Sequence, residues 1–161
     1  MSIFLKAILQ EMDKIKKQGD GTLVQLTEEQ LYFAPDSESN SIAVLVQHIA
    51  GNMRSRSTDF LTTDGEKPSR DRDAEFTHHR LSKEELMQEW DDAWAIFYET
   101  VHALSQEDLL QMVSVKGKET PAMAALMTQL VHYAGHIAQM MYVAKMQLQE
   151  DWQTQSIPKK K

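Results

Sequence analysis

Thr120-Pro121-Ala122-Met123-Ala124-Ala125-Leu126-Met127-Thr128-Gln129-Leu130-Val131-His132-Tyr133-Ala134-Gly135-His136-Ile137-Ala138-Gln139 has the clearest helix start in the chain. Thr120 reads as the N-cap, and Pro121 as the first helical residue, where its missing N–H costs nothing. The pattern runs on to about Leu148. On a wheel of about 100° per residue, Leu126, Met127, Leu130, Ala134, Ile137, Ala138 and Met141 form a broad apolar stripe. His132 and His136 fall roughly opposite, among Ala125, Thr128, Gln129, Gln139 and Val143. A helix this apolar, with a small half-polar second face, is expected to be covered on both sides.

Three further amphipathic patterns lie upstream. Ile3, Phe4, Ala7, Ile8, Met12 and Ile15 recur at helical steps until Gly19-Asp20-Gly21, which is expected to end or break the run. Thr27-Glu28-Glu29-Gln30 has the form of a capping box on a short helical turn. After Pro35 and a polar loop, a second long helix begins at Asn40 or Ser41 and reaches about Thr62, with Ile42, Leu45, Val46, Ile49, Met53 and Phe60 on one stripe. A third opens with the capping box Ser82-Lys83-Glu84-Glu85 and buries Leu86, Trp90, Ala93, Trp94, Phe97, Val101 and Leu104. Ser105-Gln106-Glu107-Asp108 looks like a cap on a short turn, and Val113–Lys118 like a small hairpin or an extended link. Residues 64 to 80 carry dense charge of both signs and read as a long exposed loop, a possible lid. The fold class expected is all-α, a four-helix bundle forming a single domain over residues 1–161, with a flexible tail from about residue 150.

Composition narrows the function. The chain has 161 residues, 42% of them hydrophobic and 25% charged, and a formal net charge of −7. That charge argues against a general nucleic-acid binder. No apolar run approaches a membrane span, and the first residues lack the pattern of a signal peptide, so the expected location is cytoplasmic. There is no cysteine, so any metal must be held by imidazole and oxygen.

The His132/His136 pair is spaced i,i+4, which puts both imidazoles on one side of a helix. On spacing alone, two surface histidines are the commoner outcome of such a pair. His48 lies at the edge of the second stripe, with Asn52 one turn on as a candidate to orient a ligand or water. A lone boundary histidine is ordinarily a core-edge residue bonded to a neighbour. His78 and His79 border the charged loop, and His102 lies on the polar side of its helix. Glu75-Phe76-Thr77-His78 and Glu99-Thr100-Val101-His102 match the Glu-x-x-His spacing of di-iron bundles, but no inward glutamates on the other helices complete such a site. A zincin needs Glu directly after the first histidine, and Tyr133 stands there.

Asn40–Asn52 and Leu130–Gln139, with the helix order and the separation between them, resemble the DinB-like superfamily, which includes bacillithiol transferases and thiol-dependent maleylpyruvate isomerases. Arg54-Ser55-Arg56 and Asp59–Pro68 resemble an uncharacterised branch of it. The resemblance covers nearly the whole chain. It implies a four-helix bundle with a divalent metal, nickel or zinc, bound by His48, His132 and His136. It also implies a homodimer and a small-molecule substrate. The activity implied is transfer of a low-molecular-weight thiol to an electrophile. A non-catalytic metal- or ligand-binding stress protein and a metal-dependent hydrolase are the alternatives. Arg54, Arg56, Arg70, Arg72 and Arg80 are candidates, by location only, for recognising the thiol. Tyr133 points about a quarter-turn from the histidines and is given no catalytic role.

Overall fold

The computed structural model describes residues 2–76 and 80–157, and their regular structure is helical apart from one hairpin. The long helices are α1 (Ile3–Leu23), α3 (Ile42–Ser57), α4 (Lys83–Ala103) and α5 (Ala122–Leu148), with a single turn, α2 (Glu28–Leu31), after the first. Both expected capping boxes form. Thr27 and Gln30 close one at the start of α2, and Ser82 and Glu85 close the other on α4. Ser41 caps α3 through its hydroxyl. His78 and His79 lie outside the described residues, as does the basic Pro158–Lys161 end.

α3 packs against α4, α1 against α5, and α3 against α5, giving the all-α bundle expected. Its centre holds Trp90, Trp94 and Phe97, all fully buried, with the two indoles edge to face at 5.5 Å. Burying aromatic surface of this size contributes the largest single share of core stabilisation.

Several sequence expectations need correction. α1 continues through Gly19-Asp20-Gly21 to Leu23. A Cβ on Gly19 would come within 2.6 Å of Trp90 Cζ2, so this glycine serves a close helix approach and does not end the helix. Asp20 accepts from the Trp90 indole N–H at 2.7 Å, so a residue read as a breaker secures the core. α3 stops at Ser57, short of Thr62, and Asp59 turns the chain with a φ of 49°. α5 begins at Ala122, one residue later than expected. Thr120 is engaged in the hairpin opposite Val113, Pro121 occupies the cap, and the Ala122 amide donates to Gln111 O at 2.8 Å. The tail is tied down at its start: Trp152 packs on the core, and Gln25 and Gln153 exchange two hydrogen bonds.

The face of α5 also differs. Its buried line is Ala122, Ala125, Leu126, Gln129, Tyr133, Ile137, Met140, Val143 and Ala144, whereas Met127 and Ala138 are exposed. Hydropathy left Tyr133 off the apolar stripe and put Gln129 on the half-polar face. Burial of Tyr133 is stabilised because its hydroxyl finds a partner inside, donating to Asn52 Oδ1 at 3.1 Å. The two histidines therefore flank the core face and do not oppose it.

β1 (Met112–Val115) and β2 (Lys118–Pro121) form an antiparallel hairpin whose turn residues, Lys116 and Gly117, have φ of 53° and 70°. Positive φ at both central positions matches the twist of a two-residue hairpin. This hairpin and the charged segment hold each other. Gly65 N donates to Ser114 O, and the Asp64 carboxylate accepts from the amides of Lys116 and Gly117 and the hydroxyl of Ser114. Ser55 and Lys67 add bonds from α3. The segment read as an exposed loop is thus fastened across the bundle up to Phe76, and no lid movement follows from its fastening.

Candidate metal centre

His48 leaves the buried side of α3, where Ile49, Ala50 and Met53 anchor the helix in the core. His132 and His136 leave α5 one turn apart, beside the fully buried Tyr133. The packing of α3 on α5 brings the three rings together. Their centroids are 5.2 Å (His48–His132), 4.9 Å (His48–His136) and 4.5 Å (His132–His136) apart. One nitrogen from each lies within 4.8 Å of the others. Two nitrogens on one tetrahedral zinc, each about 2.1 Å from it, lie about 3.4 Å apart, so the rings would draw in by up to about 1.4 Å to share an ion.

Hydrogen bonding decides which nitrogens are available. His48 Nδ1 is 2.9 Å from Glu75 Oε2, and His136 Nδ1 is 3.1 Å from Gln139 Oε1. Both partners are acceptors, so each Nδ1 carries the proton and each Nε2 keeps its lone pair. His132 Nε2 is buried and has no hydrogen-bond partner. A buried, unpaired imidazole nitrogen carries a desolvation cost, which coordination to a cation would remove. The residues present could therefore hold a divalent transition metal through an all-nitrogen donor set.

Electrostatics keep the rings ready. Burial, then the neighbouring His136 and His48, then Arg70 and Arg56, push the His132 pKa down to about 4. Burial and His48 lower His136 too, against the opposing bond from Gln139. Neither ring carries a proton that a metal would have to displace near neutral pH. Burial raises the Glu75 carboxyl, but hydrogen bonds from His48 and Arg70 outweigh it and hold it below its ordinary value. Arg70 donates to both Glu75 oxygens, from Nε at 2.7 Å and Nη2 at 2.8 Å, and reaches Glu66 at 3.3 Å. Arg56 closes the row on Glu66 at 3.0 Å. A carboxylate behind a ligating histidine fixes its tautomer and orientation.

Sequence reading noted Glu75 only in a Glu-x-x-His spacing with His78 and missed its place behind His48. It lies in the charged segment, on a turn of 3₁₀ helix at Ala74–Phe76, with no periodicity to mark it. Gly51 makes its position possible, since a Cβ there would lie 2.2 Å from Glu75 Oε1. Asn52, expected to orient a ligand, is bonded to Tyr133 and lines the cavity beside the rings. Of the five arginines, Arg56, Arg70 and Arg72 line that cavity. Arg54 pairs with Glu89, and Arg80 stacks over Tyr32. The exposed His102 and Glu99 take no part in the cluster.

The three rings open onto a cavity of about 550 Å³, walled in part by Phe76, Val115 and Ala125. The Phe76 ring packs 4.9 Å from that of His48. An ion held by three imidazoles would keep coordination positions free, and the three rings line a space large enough for a small molecule.

Searches of curated proteins and of solved structures give no significant match. The chain matches, over residues 1–161, the family described as "Protein of unknown function (DUF1572)", and belongs to that family.

Proposed function

We propose that this protein is a divalent-metal enzyme of the DinB-like type, acting on a small molecule held in the cavity beside His48, His132 and His136. The observation that carries the reading is the buried, unpartnered Nε2 of His132, inside a partly buried three-imidazole cluster that lines that cavity. The three histidines hold the metal. Glu75 keeps His48 in the tautomer that presents Nε2, and Arg70 keeps Glu75 ionised and in place. A divalent ion on neutral ligands keeps its charge and lowers the pKa of a thiol or water that joins it.

Transfer of a low-molecular-weight thiol to an electrophile is the preferred activity. The chain has no cysteine, so the nucleophilic sulfur must come from a co-substrate. The test is a screen of nickel- and zinc-loaded protein with thiols and electrophiles. Thiol-dependent turnover supports transfer, and turnover without added thiol replaces it with hydrolysis. Metal binding with no turnover in either screen replaces it with a binding role in stress.

The same reading includes a homodimer. Met123, Met127, Val131, Tyr142 and Met146 form an exposed line along the outer side of α5, which supports pairing with a second copy. Sedimentation equilibrium tests this, and a monomer at micromolar concentration overturns it. Among the described residues no helix is long and apolar enough to cross a membrane.

A further inference from the structure

The cavity is cationic in a protein that is acidic as a whole. The chain carries a formal net charge of −7, yet Arg56, Arg70, Arg72 and Lys116 line this space with Glu66 as the one acidic lining residue among the described residues. Even with Glu75 counted behind the wall, four cations face two carboxylates. A low-dielectric cleft lined by one sign of charge concentrates ligands of the other sign.

Two lining residues besides His132 hold buried polar atoms without partners. Arg56 Nη1 and Gln129 Oε1 are both sealed from water and unbonded. Gln129 is only 6% exposed, on the same face of α5 as Tyr133. The fold leaves room for the Arg56 side chain by placing Gly65 beneath it, where a Cβ would lie 3.0 Å from Nη1. Its other terminal nitrogen is already committed to Glu66. Both residues line the same cavity, so a turn of either side chain into that space would let a ligand offset the desolvation of its unpaired atom.

We infer that the cavity binds a small acidic molecule, a carboxylate or phosphate, whose anionic group is held by Arg56 and whose hydrogen-bond donor is met by Gln129. The inference rests on the proposed metal reading only for placing that molecule beside the reacting positions. Arg70 is engaged by Glu75 and Glu66, so it contributes field and leaves the direct contact to Arg56. Arg72, stacked over Phe76 at 5.1 Å, and Lys116 at the hairpin turn add charge to the same space.

The test is calorimetric titration of the wild-type protein, metal-loaded and metal-free, with succinate, inorganic phosphate and uncharged succinamide. Succinate or phosphate should bind both forms and succinamide should bind neither. Arg56→Gln should weaken the anion by about tenfold or more, with Arg56→Lys recovering part of the loss. Circular dichroism establishes that each variant is folded. Equal affinity for succinamide, no anion binding to either form, or unchanged affinity in folded Arg56→Gln overturns the inference. Anion binding confined to the metal-loaded form also overturns it, because the anion is then a metal ligand, while the metal reading itself stands. Anion binding by a protein that takes up no metal has the opposite meaning: the inference stands and the metal reading fails.

Discussion

Replacing Glu75 by glutamine tests whether the carboxylate behind His48 does what its geometry implies. Glu75 is 9% exposed and engages three donors: His48 Nδ1 at 2.9 Å and two Arg70 nitrogens at 2.7 and 2.8 Å. Glutamine keeps the shape but has one acceptor oxygen and a donating amide, so at least one donor loses its partner. Breaking a buried ion pair costs about 3–5 kcal/mol when the remaining charge is stranded. Here Arg70 keeps Glu66 at 3.3 Å, so a loss of about 2–3 kcal/mol is expected in urea unfolding of the metal-free protein. Metal affinity should fall as well. Losing the group that orients a ligating histidine typically weakens binding about 10- to 100-fold, or about 1.4–2.7 kcal/mol. Competition against a chromophoric chelator, with the folded fraction measured in parallel, separates the two effects. A metal affinity within about twofold of wild type in folded Glu75→Gln would refute the orienting role.

Three further outcomes follow from the same contacts. Gly51→Ala should weaken metal binding as Glu75→Gln does, because its Cβ would displace Glu75 Oε1 from 2.2 Å. It should also lower stability, despite the roughly 1 kcal/mol helix preference for alanine. Tyr133→Phe should cost about 1–2 kcal/mol by stranding the buried Asn52 Oδ1, while metal content stays unchanged. Asp64→Ala should unfasten the hairpin in a pH-dependent way. Hydrogen bonds from Ser114 and from the amides of Glu66, Gly117 and Lys116 hold the Asp64 carboxyl well below its ordinary 3.8. The stabilisation is then complete above that value and fades as pH falls toward the depressed folded one. Thermal melts of wild type and Asp64→Ala should differ at pH 7 and converge in strong acid, and a gap independent of pH counts against the staple.

The bundle was legible because its signals are local. Caps at Thr27, Ser41 and Ser82 and the aromatic stripe of α4 follow from neighbours three and four residues apart. The errors arose where a distant residue decides the outcome. Gly19 reads as a breaker until Trp90 is seen against it, and Tyr133 stays off the apolar stripe until Asn52 is seen to meet its hydroxyl. In the site, the i,i+4 pair was visible on one helix. Its approach to His48, the motif-mapped third histidine, depends on how α3 packs against α5. Glu75 could not be found in the same way, because nothing in an irregular charged segment marks which carboxylate turns inward.

The central claim is that His48, His132 and His136 bind one metal ion. Elemental analysis after reconstitution with nickel or zinc and removal of free ion tests it most directly, on wild type and on His132→Ala checked for retained helicity. The expected result is about one ion per wild-type chain and near none in the variant. A wild-type protein that takes up neither metal, or a His132→Ala protein that binds as much as wild type, would contradict the account.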